Sequence, residues 1–159
     1  MVNPGPTINL FEFQEKAVTN LINLTTKTDA KETIVMKAPT GSGKTIILID
    51  YIDTYLSNVD KKTAFIWLCP GKGNLEEQSR EKMIKLSPGR STQNLFDALL
   101  GGFAEESTTF INWELVTKSG NIAIRDSERK NLFDRIAEAH RKGTEFIVII
   151  DEEHSNNTV

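Results

Sequence analysis

The chain is poor in several things that would each point to a class of protein. It has one cysteine, Cys69, among 159 residues. A lone thiol excludes an internal disulfide and a cysteine-rich metal site, and a reduced, cytoplasmic setting is the expectation. There is no excess of basic charge, since 19 Lys+Arg face 22 Asp+Glu for a formal net charge of -3. That excludes a globally basic nucleic-acid binder, though not a local basic patch. No apolar run approaches the roughly 18 residues of a membrane span. The start, Met1 to Phe13, has neither the basic nor the apolar region of a signal peptide. Internal repeats and low-complexity tracts are missing too. What remains is 38% hydrophobic and 26% charged residues in 17.8 kDa. That composition fits one soluble globular domain with an ordinary core.

Hydrophobic periodicity orders the elements. Asn3-Pro4-Gly5-Pro6 is a breaker cluster, so residues 1–10 read as an extended N-terminal segment ahead of a domain over 11–159. From Glu12, residues Phe13, Ala17, Leu21 and Leu24 recur at helical spacing. Thr33-Ile34-Val35-Met36-Lys37 reads as a short buried strand. A helix follows, with one apolar stripe at 47, 48, 51, 52, 55 and 56. Thr63–Cys69 is the next strand, closed by Pro70-Gly71. Asn74 and Glu77 have capping-box spacing for a helix ending before Ser87-Pro88-Gly89. Leu95, Phe96, Leu99 and Leu100 suggest a short helix, and Thr108 to Asn112 a strand. A helix over 127–141 carries Leu132, Phe133, Ile136 and Ala137, with His140 on its apolar side and Gly143 beyond its end. Phe146 to Ile150 is an unbroken apolar run, the pattern of a parallel strand covered on both faces. Strands alternating with helices predict an α/β fold with a mainly parallel, doubly wound sheet.

Between the first strand and its helix lies Ala38-Pro39-Thr40-Gly41-Ser42-Gly43-Lys44-Thr45. It fits the phosphate-loop pattern G-x-x-x-x-G-K-[ST], with Ala38 in place of the first glycine. Polyphosphate concentrates negative charge and needs several donors at short range. Gly41 and Gly43 let the backbone take angles closed to other residues and approach the phosphates. The helix N-terminus faces the same anion. Lys44 supplies a point charge for the β- and γ-phosphates, and the Thr45 hydroxyl suits Mg²⁺. Pro39, Thr40, Gly41, Ser42, Gly43, Lys44 and Thr45 are therefore the candidate nucleotide-binding residues. After the last strand comes Asp151-Glu152-Glu153-His154. Ligands collect at the carboxyl ends of parallel strands. Asp151 there suits Mg²⁺ held through water, and Glu152 an attacking water to be oriented and deprotonated. His154 is either a coupling residue or a surface histidine.

Together, Ala-Pro-Thr-Gly-Ser-Gly-Lys-Thr and Asp-Glu-Glu-His resemble motifs I and II of superfamily 2 helicases and translocases. Phe13-Gln14-Glu15-Lys16-Ala17 resembles that superfamily's upstream glutamine motif, which implies that Gln14 reads the adenine edge. Pro70-Gly71-Lys72-Gly73-Asn74-Leu75-Glu76-Glu77-Gln78 lies where motif Ia is expected. Phe110-Ile111-Asn112-Trp113-Glu114 and the run from Asn121 to Phe133 are similar to the restriction subunit of type III restriction–modification enzymes. The likeness covers roughly Phe11 to Thr158. It implies a three-layer, RecA-like P-loop NTPase lobe that binds ATP and Mg²⁺ and belongs to an ATP-dependent motor on duplex DNA. It also implies a DNA-methyltransferase (modification) subunit as partner. Gly71, Lys72, Gly73 and Gln78 would then face the DNA backbone, and Trp113 would stack on a base or pack in the core.

The family's second RecA-like lobe and nuclease domain lie beyond the pattern matched here. A chain confined to the first lobe is expected to bind ATP-Mg weakly and to turn it over slowly. Arginines from a second lobe are worth about 10³–10⁵ in rate in related phosphoryl-transfer systems. A sheet cut short in this way has an exposed edge, through which self-association is expected. Two other readings fit the residues: a piece of a different superfamily 2 DNA helicase, or a catalytically idle nucleotide-binding or interaction module.

Overall fold

A computed structural model describes residues 8–27, 33–38, 41–71, 73–117 and 131–151. Outside them lie several residues singled out above: the breaker cluster at 3–6, Pro39, Thr40, Lys72, the run 118–130, Glu152, Glu153 and His154. The elements among the described residues are α1 (Glu12–Thr26), α2 (Lys44–Asn58), β1 (Thr63–Cys69), α3 (Leu75–Leu86) and β2 (Ser91–Asn94), then α4 (Leu95–Gly101), β3 (Ser107–Asn112), α5 (Glu114–Thr117), α6 (Leu132–Arg141) and β4 (Glu145–Ile150). They fall into two compact units, Met1–Asp60 with Lys85–Pro88, and Lys61–Ile84 with Gly89–Val159. The α/β class read from the sequence is the class observed.

The first unit is a helix pair. Phe11 is extended and caps α1, and its carbonyl accepts from the amides of Gln14 and Glu15. Glu12 and Glu15 in the first turn suit the positive end of the helix dipole. α1 packs on α2, and the Tyr51 hydroxyl donates to Thr25 Oγ1 at 3.0 Å. Burial of Tyr51 pushes its phenol up to about 12. α2 buries Ile47, Ile49, Tyr51, Ile52, Tyr55 and Leu56, while Leu48 is half-buried. Its buried arc is therefore wider than the single stripe read from periodicity, because Ile49 joins it.

The predicted strand at Thr33–Lys37 is a correction. Residues 33–38 form no strand, although exposed and half-buried positions alternate along them and Val35 is 74% exposed. The alternation is that of an extended segment, but a strand also needs a hydrogen-bonded neighbour. A five-residue run says nothing about whether one is there.

The second unit is a parallel sheet in the order β2-β3-β1-β4. All seven residues of β1 are buried. Alternation along β1 sends Ile66 and Leu68 to one face, where they meet Leu95 of α4, Ile111 of β3 and Leu132 of α6. Phe103 packs edge-on to Phe146 beside this cluster, ring centroids 5.2 Å apart. The opposite face carries Phe65, Trp67 and Cys69 of β1 with Phe110 of β3, all buried.

Four further differences from the sequence reading have local causes. Ser91–Asn94 is a strand with no apolar residue, held in place by pairing with β3 and by Gln93. Gln93 Oε1 accepts from Ala104 N and Ser107 Oγ at 3.1 Å each, and its Nε2 donates to Gly102 O. Asn74 stands at φ 57, not in the extended conformation a capping box needs. On α6 the buried positions are Leu132 and Ala139, with Ile136 half-buried; Phe133, Ala137 and His140 are exposed. Asn131 caps that helix by accepting from Asp134 N at 3.0 Å. Finally, β4 is not covered on both faces. Among the described residues it pairs with β1 alone, and Val148 and Ile150 are 51% and 58% exposed.

Candidate functional site

The phosphate-loop residues sit where chain geometry turns from loop to helix. Gly43 caps α2 in the left-handed conformation, φ 78 and ψ 40. The first helical hydrogen bond runs from Ile47 N to Gly43 O at 3.0 Å. The amides of Lys44, Thr45 and Ile46 therefore precede any intrahelical bond and are left for an anion. Lys44 and Thr45 occupy the first turn, so the charge and the hydroxyl start from the same end of the helix. Ser42 Oγ is buried and has no hydrogen-bond partner among the described residues. A buried hydroxyl is normally paired, and a phosphate oxygen would satisfy this one. The observed cradle thus fits a polyphosphate.

Gln14 braces this loop. Its Nε2 donates to Ser42 O at 2.9 Å, and its Oε1 accepts from Phe11 N at 2.9 Å. The side chain is only 4% exposed. A Cβ placed on Gly43 would lie 2.6 Å from Gln14 Nε2, so the glycine is demanded by space as well as by angle. Gln14 in this state spends both ends of its amide on the protein. Beside it, Phe11 and Phe13 are exposed and stack with ring centroids 6.0 Å apart. Further along α2, the Asp50 carboxyl is raised above its usual range, first by burial and then by the neighbouring Asp53 charge.

In the second unit, Asp151 follows β4 directly. Its amide donates to Leu68 O at 2.9 Å, which extends the β1–β4 register by one step. Its Oδ2 accepts from Trp67 Nε1 at 3.4 Å. Among the described residues no three His, Cys, Asp or Glu side chains come together. The Asp151 carboxylate is a hard oxygen donor of the kind Mg²⁺ takes beside water and phosphate. Glu152 lies outside the described residues.

The candidate DNA-facing residues lie at the carboxyl end of β1 and the start of α3. Gly71 is half-buried, and a Cβ there would lie 2.2 Å from Glu114 Cδ. Glu114 is held by its amide, which donates to Asn112 Oδ1 at 2.9 Å. Gly73 and Gln78 are exposed, and Gln78 Nε2 donates to Gly73 O at 3.1 Å. Lys72 lies outside the described residues, and Trp113 is exposed. Trp67 carries no motif that marks it in the sequence, and Glu114 enters only within the stretch Phe110 to Glu114. The one available signal was Trp67 in a wholly apolar strand, since a buried indole N–H needs a partner.

No helix among the described residues is long and apolar enough to cross a membrane. A family model described as type III restriction enzyme, res subunit, matches residues 7–158. No curated protein and no solved structure matches the chain. The chain belongs to the type III restriction enzyme res subunit family. Membership implies an ATP-binding, helicase-like lobe of α/β architecture, and the parallel sheet with its six described helices is consistent with a RecA-like domain.

Proposed function

We propose, from this membership, that the chain is the ATP-binding lobe of a DNA-dependent ATPase or translocase of a type III restriction enzyme. The observation that carries the reading is the buried Ser42 hydroxyl, unpartnered among the described residues, beside the leading amides of a helix that opens with Lys44 and Thr45. Gly41, Ser42 and Gly43, with Pro39 and Thr40 before them, cradle the phosphates in this proposal. Lys44 neutralises charge on the β- and γ-phosphates; Gln14 holds the loop, and to read the adenine edge it exchanges its bonds to Ser42 O and Phe11 N for bonds to the base. Thr45 and Asp151 are the proposed Mg²⁺ ligands, and Glu152 orients the attacking water and takes its proton. Mg²⁺ when bound neutralises phosphate charge. Gly71, Lys72, Gly73 and Gln78 are the proposed contacts to the backbone of duplex DNA. A modification methyltransferase subunit is the partner this parentage brings, and a second RecA-like lobe and a nuclease domain are its further parts. Turnover by this lobe alone is expected to be slow.

The distinguishing experiment is nucleotide-coupled DNA binding. A labelled duplex is titrated with the protein, with and without a slowly hydrolysed Mg·ATP analogue, for the native chain and Lys44→Ala. A motor lobe changes its DNA affinity when nucleotide is present, and the variant loses that response. Nucleotide binding with no DNA binding in any state would instead describe an idle nucleotide-binding module.

A further inference from the structure

Trp67 is the largest fully buried side chain in the molecule, at 0% exposure, and it stands in the middle of the central strand β1. Its neighbours follow from register. Across β3 it is opposite Phe110, and across β4 it is opposite Ile149. The two rings, Trp67 and Phe110, lie 5.1 Å apart at 33°, which fixes the plane of the indole. Along β4, residues two apart share a face. Asp151 is therefore the next residue after Ile149 on the face that Trp67 occupies. A diagonal reach of this kind is within range of an aromatic side chain. The indole spans it, and Nε1 donates to Asp151 Oδ2 at 3.4 Å.

The choice of partner is informative. An indole N–H offers one donor and no acceptor. Buried at this depth, it costs free energy unless it is bonded. The Trp67 indole makes that bond to a carboxylate just beyond the last residue of a parallel strand. The Asp151 main chain is pinned separately, through its amide to Leu68 O. Backbone and carboxylate are thus each held by β1.

We infer that Trp67 is a positioning residue for the magnesium carboxylate: its indole N–H fixes Asp151 in the rotamer that receives the metal of the nucleotide complex. This rests on the reading of Asp151 as a Mg²⁺ ligand. Ligating carboxylates are themselves oriented by hydrogen bonds, and loss of such an outer partner typically costs 10–100-fold in metal affinity. The long Trp67 bond belongs at the lower end of that range.

The test compares ATP affinity in Mg²⁺ with ATP affinity in a chelator, by calorimetry, for the native chain, Trp67→Phe, Asp151→Asn and the double variant. Phenylalanine keeps a ring against Phe110 and removes the N–H. The expected result is a loss of about 10-fold in Mg·ATP affinity for Trp67→Phe, with metal-free binding unchanged. In the Asp151→Asn background, Trp67→Phe should cause no further loss. A merely structural role would weaken binding equally with and without Mg²⁺, or add its effect to that of Asp151→Asn, and either result overturns the inference. Mg²⁺-dependent binding that Asp151→Asn weakens and Trp67→Phe does not would overturn it while leaving the reading of Asp151 intact. No effect of Asp151→Asn would overturn both. If Trp67→Phe fails to fold, the indole ¹⁵N–¹H resonances of the native chain decide. The Trp67 resonance should move on adding Mg·ATP in the native chain and stay still in Asp151→Asn. Equal movement in the two, or none in either, contradicts the inference.

Discussion

The two compact units hold their chemistry in opposite ways. In the helical unit the working groups are main-chain ones: a left-handed glycine, amides ahead of the first helical bond, and a carbonyl gripped by Gln14. In the sheet unit the group proposed to work is a carboxylate, carried to its place by the β1–β4 register and bonded to an indole. The first arrangement is vulnerable to added atoms, because a methyl group at Gly43 displaces the Gln14 amide from Ser42 O. The second is vulnerable to removed atoms, because the Trp67 N–H is proposed to orient Asp151. A main-chain site leaves a literal motif in the sequence. A register-built site leaves almost none.

Substitutions can break or sharpen that contrast. The largest loss of stability is expected at Gly43→Ala. It combines φ 78 with a Cβ 2.6 Å from Gln14 Nε2, so strain and a displaced hydrogen bond add. About 3 kcal/mol is expected by denaturant melting. Gly41 has φ 81 but open space around its Cβ. Gly41→Ala should cost only about 1 kcal/mol. Equal costs at the two glycines would show that space around the loop does not matter.

The intermediate case lies in the sheet unit. Arg135 of α6 donates to Leu99 O at 3.0 Å and Leu100 O at 2.8 Å, the exposed carbonyls at the end of α4, and to Glu138 at 3.2 Å. Arg135→Ala should cost about 2 kcal/mol in the same measurement. Arg135→Lys should recover little, since one ammonium cannot reproduce the fork.

The smallest effect is expected at Asp50. Its carboxyl is raised by burial and by Asp53, so the folded chain binds more protons than the unfolded one as pH rises above 3.8. Stability from this group is therefore full below that pH and is lost as pH rises through the folded value. Asp50→Asn should stabilise the protein near neutrality, and melts against pH should show the gain fading toward pH 3.8. A gain that grows at low pH would have the wrong sign.

Legibility from sequence follows the same division. β1 was readable to the residue, because seven residues buried on both faces leave an apolar run bounded by a charged stretch and Pro-Gly. The phosphate loop was readable because its angles demand glycine. Ser91–Asn94 was not, because an outer strand held by Gln93 needs no apolar side chain. Thr33–Lys37 has the composition of a strand without the pairing. For β4, the apolar run gave the element but not its exposure, which depends on neighbours. Trp67 was legible as core, while its bond to Asp151 is a product of register that no local pattern encodes.

The loop around Ser42, Lys44 and Thr45 is proposed to hold a nucleoside triphosphate. The most direct test is calorimetric titration of the purified chain with ATP and Mg²⁺, beside a folded Lys44→Ala variant. The account predicts saturable, one-to-one binding by the native chain, weakened about 100-fold or more in the variant, the scale of a charge-assisted contact. Binding that is unchanged in Lys44→Ala, or no binding by the folded native chain, would contradict it.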